Sequence, residues 1–471
     1  MKDTSPRILL INPWITDFAA YNFWVKPLGL LFIAGFLRKN GFQISLIDCL
    51  DFYSKRKQYG DGNFFKTWIE KPKPLKSIPK HYSRYGISEE LLQDRLSSME
   101  KPDVVGITSG MTYWYPGLFE LIRIIKKSFK DVPIILGGIY ATLCHDHAQK
   151  NSGADHIVQG IGELEALRLI SELTHTEPPW SPPGPSDNSD QRSAVSNDPY
   201  SYPELRAIGA PPPTLQFSTD YLSYPAFDLY SQLDFACIAT SRGCPLRCTY
   251  CASRILYNGF RRRNPDEVVE EIEYWTTHYR VNNMAFYDDA LLINHQDHIV
   301  PILKEVIKRK IRCSFHTPNG LHVKEIDEEL GDLLFEAGFR TIRLGFETAH
   351  ETMQIETGGK VGNQEFVRAV KNLKRAGYCG EEIGVYIMVG LPGQRAGEAE
   401  ESIAFVLETG ARPILVEYSP IPHTPLFERA KQLSQFDLEN EPLYQNNSIL
   451  PCQWEGFTMA DYRRLKEGIR R

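Results

Sequence analysis

The chain has 471 residues, more than one hydrophobic core ordinarily organises, so two domains are expected. Hydrophobic residues make up 42% and charged residues 24%, which excludes a disordered chain, and the longest apolar run near the start, residues 28–37, is far short of the roughly 20 a membrane helix needs. A net charge of -6 with scattered basic residues argues against a dedicated nucleic-acid surface. Residues 1–7 carry mixed charges and run directly into an apolar strand, without the pattern of a secretory signal, so a cytoplasmic location is expected. Nine cysteines in such a chain read as reduced thiols and metal ligands rather than as a disulfide framework.

Residues 1–175 alternate short apolar strands with amphipathic helices, the pattern of a doubly wound parallel sheet. Strands are predicted at 7–11, 42–47, 104–108, 134–136 and 156–158. Between the first two, Pro27 opens a helix whose apolar face carries Leu30, Ile33, Ala34 and Leu37, and Gly41 closes it. Residues 51–99 are rich in Lys, Tyr and Gly without a clean period, which predicts an excursion from the sheet with some helix near 89–96. Residues 176–228 hold Pro178-Pro179, Ser181-Pro182-Pro183-Gly184-Pro185 and Pro211-Pro212-Pro213 among Ser, Asn and Asp, a composition that buries no core and reads as an exposed linker.

A second alternating series fills residues 229–430, with strands predicted at 236–240, 284–287, 313–316, 341–346, 384–389 and 414–418. Asn264 caps the first helix of this series, Pro265 fits its first position, and Val268, Val269, Ile272 and Trp275 share a face. A later helix gathers Phe366, Val370 and Leu373 and stops at Gly377. Six strand–helix units predict a partial (β/α)6 barrel whose site is built by the loops at the C-terminal strand ends. Residues 431–471 form a short extension with Trp454 and Phe457 as packing anchors.

Just after the first strand of that series stands Ser241-Arg242-Gly243-Cys244-Pro245-Leu246-Arg247-Cys248-Thr249-Tyr250-Cys251, three thiols within eight residues. The spacing lets one loop wrap a small metal centre, and three thiolates on a four-iron cubane leave one iron open to a substrate or cofactor. The competing reading is a structural zinc or a chance group of buried cysteines. Zinc sites more often show paired knuckles with a fourth ligand nearby, and residues 252–260 contain neither His nor Cys.

This CxxxCxxC pattern, with an aromatic before its last cysteine, resembles the radical S-adenosylmethionine superfamily. The resemblance implies that Cys244, Cys248 and Cys251 bind a [4Fe-4S] cluster whose unique iron takes S-adenosylmethionine, with Tyr250 near the adenine. Further turns in order fit the same family: Phe286-Tyr287-Asp288-Asp289, Thr317-Pro318-Asn319-Gly320-Leu321, Gly345-Phe346-Glu347-Thr348, Val389-Gly390-Leu391-Pro392-Gly393 and Ser419-Pro420-Ile421-Pro422-His423-Thr424-Pro425-Leu426. Each is a polar or Gly/Pro-rich strand end where side chains and bare backbone approach a ligand. Glu347 is the best candidate for contacting S-adenosylmethionine, since a carboxylate accepts from ribose hydroxyls or the amino group. Asp288, Asp289, Asn319 and Pro422 are further cofactor candidates, with helix capping as the alternative for the aspartates.

In residues 1–175, Lys26-Pro27-Leu28-Gly29-Leu30, Gly106-Ile107-Thr108-Ser109-Gly110-Met111-Thr112, Gly137-Gly138-Ile139-Tyr140-Ala141-Thr142 and Gly160-Ile161-Gly162-Glu163 resemble the Rossmann-like cobalamin-binding domain found in one branch of that family. Its implied contacts are Ser109, Met111, Thr112, Tyr113, Gly137, Gly138, Tyr140, Gly160, Gly162 and Glu163, at strand ends where a broad corrin needs close backbone approach. The histidine-ligating DxHxxG motif is absent: Asn12-Pro13-Trp14-Ile15 follows the first strand, and Asp155-His156 has another spacing. The resemblance therefore implies cobalamin without a protein histidine below the cobalt, or a domain that has lost the cofactor. It further implies a methyltransferase: one S-adenosylmethionine methylates cobalamin, another yields a 5′-deoxyadenosyl radical, and the resulting substrate radical takes the methyl group. Alternatives are cyclisation, ring contraction or oxidation without methyl transfer, or a noncatalytic cobalamin or metal sensor. The expected partners are a small-molecule or natural-product intermediate and an electron donor such as flavodoxin or ferredoxin.

Overall fold

The computed structural model describes residues 5–51, 62–177 and 223–469. Most of the predicted 176–228 linker therefore lies outside the described residues.

Five parallel strands form the first sheet: β1 (Arg7–Asn12), β2 (Gln43–Asp48), β3 (Val104–Ile107), β4 (Ile134–Leu136) and β5 (His156–Ile157). Their spatial order is β5-β4-β3-β1-β2, so the chain reverses direction across the sheet between β1 and β3. In doubly wound sheets that switch point opens a crevice at the strand C-terminal ends. Helix α1 (Leu28–Lys39) supplies the β1–β2 crossover and buries Leu30, Ala34 and Leu37 as its pattern predicts, while Ile33 is only partly buried. Gly41, with φ +88, lets the chain turn away after the Asn40 cap.

The second sheet is β6 (Ala236–Ile238), β7 (Asn283–Phe286), β8 (Ser314–His316), β9 (Phe339–Glu347), β10 (Ile383–Val389) and β11 (Arg412–Glu417), all parallel and in chain order. This is the predicted six-stranded partial barrel. Helix α2 (Pro265–His278) begins as expected, Asn264 Oδ1 accepting from Asp266 N at 2.9 Å, and buries Val268, Val269, Ile272 and Trp275. Helix α3 (Asn363–Ala376) stops at Gly377, φ +119. Its Phe366 stacks on Phe346 of β9 with ring centroids 4.2 Å apart, and both rings are fully buried. Pairs of this kind contribute about 0.5–1.5 kcal/mol beyond area burial and fix β9, the strand that ends at Glu347.

The 51–99 excursion contains the expected helix, Glu89–Ser98, and also a feature the sequence pattern did not predict. Ile15–Asp17, Lys66–Trp68 and Ser83–Tyr85 form a small antiparallel sheet. Residues 12–15, which stand where a DxHxxG motif would begin, lead into the edge strand Ile15–Asp17 of that sheet, and Trp14 is buried with Nε1 donating to Ile87 O at 2.7 Å. In the C-terminal extension Phe457 is fully buried and Trp454 Nε1 donates to Gln394 O at 2.8 Å, so both act as packing anchors. Among the described residues no helix is long and apolar enough to cross a membrane.

Candidate active site and cofactor cavity

The three cysteines occupy the loop between Ser241–Arg242 and Arg261–Arg262, which pair as a two-residue antiparallel hairpin at the mouth of the barrel. Gly243, φ +78, allows the chain to leave the first arm, and a Cβ there would fall 2.2 Å from Gly259 O. The far side of the loop is held by two barrel segments. Thr249 N donates to Thr357 O at 3.2 Å, Thr249 Oγ1 donates to Glu356 O at 3.0 Å, and Leu426 N donates to Thr249 O at 2.9 Å.

All three cysteines are free thiols. Burial pushes Cys244 up to about 11, and Cys248 and Cys251 are also raised, chiefly by burial. Such thiols keep their protons until a metal displaces them, so cluster assembly releases protons. Among the described residues, no three His, Cys, Asp or Glu side chains converge as a cage for one metal ion. The donor set of three thiols without a nearby fourth protein ligand fits an iron–sulfur cubane with one open iron.

Beside this loop, Tyr250, Glu347 and Lys360 form a compact polar group. Lys360 Nζ donates to Glu347 Oε1 at 2.5 Å and to Tyr250 Oη at 3.1 Å, and Tyr250 Oη donates to the same carboxylate oxygen at 3.1 Å. Glu347 follows a bulge at Gly345/Glu347 and takes φ +70, an uncommon conformation for a non-glycine residue that aims its carboxylate at Lys360. Burial opposes the charge on Lys360, but the Glu347 carboxylate beside it outweighs burial and holds the ammonium above its ordinary value. The side chains are 16% and 10% exposed, so removing one partner strands a buried charge, at a cost of about 3–5 kcal/mol. Lys360→Met should therefore lower the stability of the cofactor-free chain in urea by about 3 kcal/mol, and adding Glu347→Gln should recover most of that loss; an unchanged midpoint in Lys360→Met would remove this pair from the site's support.

Four further candidate residues hydrogen-bond or pack within the turns around the cysteine loop. Asp288 is held by its own scaffold: Thr240 N (3.0 Å), Thr240 Oγ1 (2.7 Å) and Ser241 Oγ (2.6 Å) all donate to Oδ1, so this buried carboxylate ties the end of β7 to the stem of the cysteine loop. Asp289 accepts from Ser253 Oγ at 2.6 Å, and Ser253 N donates to Cys251 Sγ at 3.4 Å. Asn319 donates to Tyr287 O and Asp288 O at 3.1 and 3.3 Å, holding the turn after β7. Pro422 is buried in the turn after β11, next to His423, whose Nε2 lies 3.0 Å from Leu143 O of the N-terminal layer.

Between the two sheets lies a cavity of about 490 Å3. Its N-terminal wall is the expected set of turns, with Ser109, Met111, Gly137, Gly138, Tyr140, Gly160, Gly162 and Glu163 all lining it. Ser109 Oγ donates to Gly137 O at 2.6 Å and accepts from Ala141 N at 3.2 Å, binding the β3 end to the β4 end. Thr112 and Tyr113 are buried beside this wall rather than among the residues that line it, with Tyr113 Oη 3.5 Å from Asn447 Oδ1 of the C-terminal extension. The opposite wall includes Ser241, Arg242, Gly243, Tyr287 and Asp289 of the barrel mouth. Glycine-lined turns at a switch point, facing a mostly apolar cavity, fit a flat macrocycle, and the described lining contains no histidine.

Comparison with known proteins agrees with this geometry. Residues 238–406 match the radical SAM superfamily model and residues 88–169 match the B12 binding domain. The chain belongs to the radical S-adenosylmethionine enzymes that carry a cobalamin-binding domain. It is 24% identical, over 97% of its length and 88% of the other, to the cytidylyl-2-hydroxyethylphosphonate methyltransferase of Streptomyces wedmorensis. It is also 24% identical, over 80% of its length and 68% of the other, to the anaerobic magnesium-protoporphyrin IX monomethyl ester cyclase of Rubrivivax gelatinosus. Among solved structures, the radical S-adenosylmethionine methyltransferase TsrM of Kitasatospora setae, with cobalamin and a [4Fe-4S] cluster bound, superposes with a TM-score of 0.63 at 16% identity, covering 92% of this chain and 76% of that one.

Lys360 and Arg242 were not singled out in the sequence. Lys360 carried one local signal, a cation following Gly358-Gly359 beside the cysteine loop; a Cβ on Gly358 would fall 2.9 Å from the Cys248 Cα.

Proposed function

We propose that the chain is a cobalamin-dependent methyltransferase that places a methyl group on an unactivated carbon of a small molecule. The observation that carries this reading is the continuity of one cavity from the switch point of the first sheet to the stem of the cysteine loop. When bound, the cluster supplies the electron that cleaves S-adenosylmethionine and cobalamin supplies the methyl group. Cys244, Cys248 and Cys251 hold the cluster, and Tyr250, Glu347 and Lys360 form the polar wall for S-adenosylmethionine. Ser109, Met111, Gly137, Gly138, Tyr140, Gly160 and Gly162 seat the corrin, with Thr112 and Tyr113 buried beside that seat. Asp288, Asp289, Asn319 and Pro422 fix the turns around the cluster. The chain's contribution is position and dryness: glycine turns admit the macrocycle, and the apolar wall excludes water from a radical.

Both the reduced cysteines and the cluster suit the cytoplasm, where flavodoxin or ferredoxin supplies electrons. The test is anaerobic reconstitution with iron, sulfide and hydroxocobalamin, then S-adenosylmethionine carrying an isotopically labelled methyl group, a strong reductant and a metabolite library. The expected outcome is 5′-deoxyadenosine together with a labelled product heavier by one CH2 equivalent. A product without the label would move the chain to the cyclase side of its relatives, the second reading that the Rubrivivax similarity favours. Full cluster occupancy without any 5′-deoxyadenosine would instead indicate a sensor.

A further inference from the structure

Arg242 stands two residues before Cys244 and belongs to the hairpin that carries the cysteine loop. Its side chain turns away from the cluster loop toward the N-terminal layer. The guanidinium carbon lies 5.0 Å from the centroid of Phe32 in α1, and Nη2 donates to Glu163 Oε1 at 2.6 Å. Glu163 is the first residue of the helix Glu163–Thr174, directly after the Gly160-Ile161-Gly162 turn at the cavity, where the helix N-terminus favours a carboxylate. The pair is largely buried, with 22% of the Arg242 side chain and 6% of Glu163 exposed. Both residues line the cavity.

Other polar ties join the two layers elsewhere: Tyr230 Oη donates to Asp48 Oδ2 at 2.6 Å, and His423 meets Leu143 O. The Arg242–Glu163 pair differs in its end points. One end is the stem of the cluster loop, and the other is the start of a corrin-side helix. A guanidinium held by a buried carboxylate on one side and an aromatic face on another has little freedom, so it transmits the position of one turn to the other.

We infer that Arg242 and Glu163 are a positioning pair that fixes the distance between the cluster and the corrin. This rests on the cofactor assignments proposed above. A substrate carbon must lie within reach of the adenosyl group on one side and the methyl donor on the other, and a misplacement of about 1 Å costs about 100-fold in rate. Neither residue holds a cofactor itself; the pair sets where the two seats stand relative to each other.

The experiment uses the full chain reconstituted with its cluster and with hydroxocobalamin, both reduced to paramagnetic states, and reads the separation of the two spins by dipolar EPR. Wild type should give one narrow distribution. Glu163→Ala and Arg242→Ala should each retain iron and cobalamin while at least doubling the width of that distribution, and the double variant should be no broader than either single one. Widths equal to wild type in the singles overturn the inference, as does additive broadening in the double variant. Loss of cobalamin from Glu163→Ala also overturns it, because Glu163 would then be a binding residue. Failure of the cofactor assignment is distinguishable, since the wild-type chain itself would then bind no cobalamin or form no cluster.

Discussion

Replacing Cys248 with alanine should abolish reductive cleavage of S-adenosylmethionine while leaving the fold intact. The thiol is only partly buried, and its loop is held through Thr249 by backbone hydrogen bonds that do not involve the sulfur. Removing it therefore costs the apo-chain no more than about 1 kcal/mol, the ordinary scale of a single substitution. The cluster is far more sensitive. Substitutions behind a metal's own ligands commonly cost about 10–100-fold in affinity, so losing one of three direct ligands should cost more than that. The measurements are iron content after anaerobic desalting and 5′-deoxyadenosine formed per chain; both should fall to background. Cys379→Ser is the control, since Cys379 is exposed at the start of a short turn before β10 and should leave both values unchanged. A Cys248→Ala protein that still makes 5′-deoxyadenosine would remove this thiol from the cluster, and protein that carries only zinc at the loop would remove the cluster itself.

What was legible in the sequence follows from how each element is stabilised. Strands buried on both faces, such as β3, β4, β6 and most of β10, read as continuous apolar runs, and the regular alternation with helices marks the less buried β2, β5 and β11, so all five strands of the first sheet and all six of the barrel were found in order, with ends shifted by one or two residues. The small sheet of Ile15–Asp17, Lys66–Trp68 and Ser83–Tyr85 left no such trace. Its strands have three residues each, and every residue of Lys66–Trp68 is exposed, so neither an apolar run nor an alternation marks them. The cysteine loop was readable because three ligands come from one short segment. The group around Glu347 was only half readable, because Lys360 reaches Tyr250 across 110 residues and no local spacing encodes that meeting. Asp288 shows the opposite limit: a carboxylate at a strand end announces a turn of the chain but not the direction of its side chain, and here Thr240 and Ser241 occupy it.

Gly138→Ala should empty the corrin seat while sparing the barrel. Gly138 has φ +97 and ψ -165, a region essentially restricted to glycine, where another residue costs about 1–3 kcal/mol. Space adds a second penalty: a Cβ would lie 2.4 Å from Ser109 O and 2.6 Å from Ser109 N, and backbone atoms cannot swing aside as a flexible side chain can. Ser109 cannot retreat without cost either, because its carbonyl accepts from Ile139 N at 2.9 Å and its hydroxyl donates to Gly137 O. The β3 and β4 turns must therefore separate, and both are walls of the cavity. Cobalamin retained after gel filtration should drop at least 10-fold, at unchanged iron content. Gly137→Ala is the internal comparison, because a Cβ there meets nothing closer than 3.7 Å and the backbone is not in the left-handed region. If Gly138→Ala retains cobalamin as well as Gly137→Ala does, the macrocycle does not sit on these turns, and the cavity between the sheets belongs to another ligand.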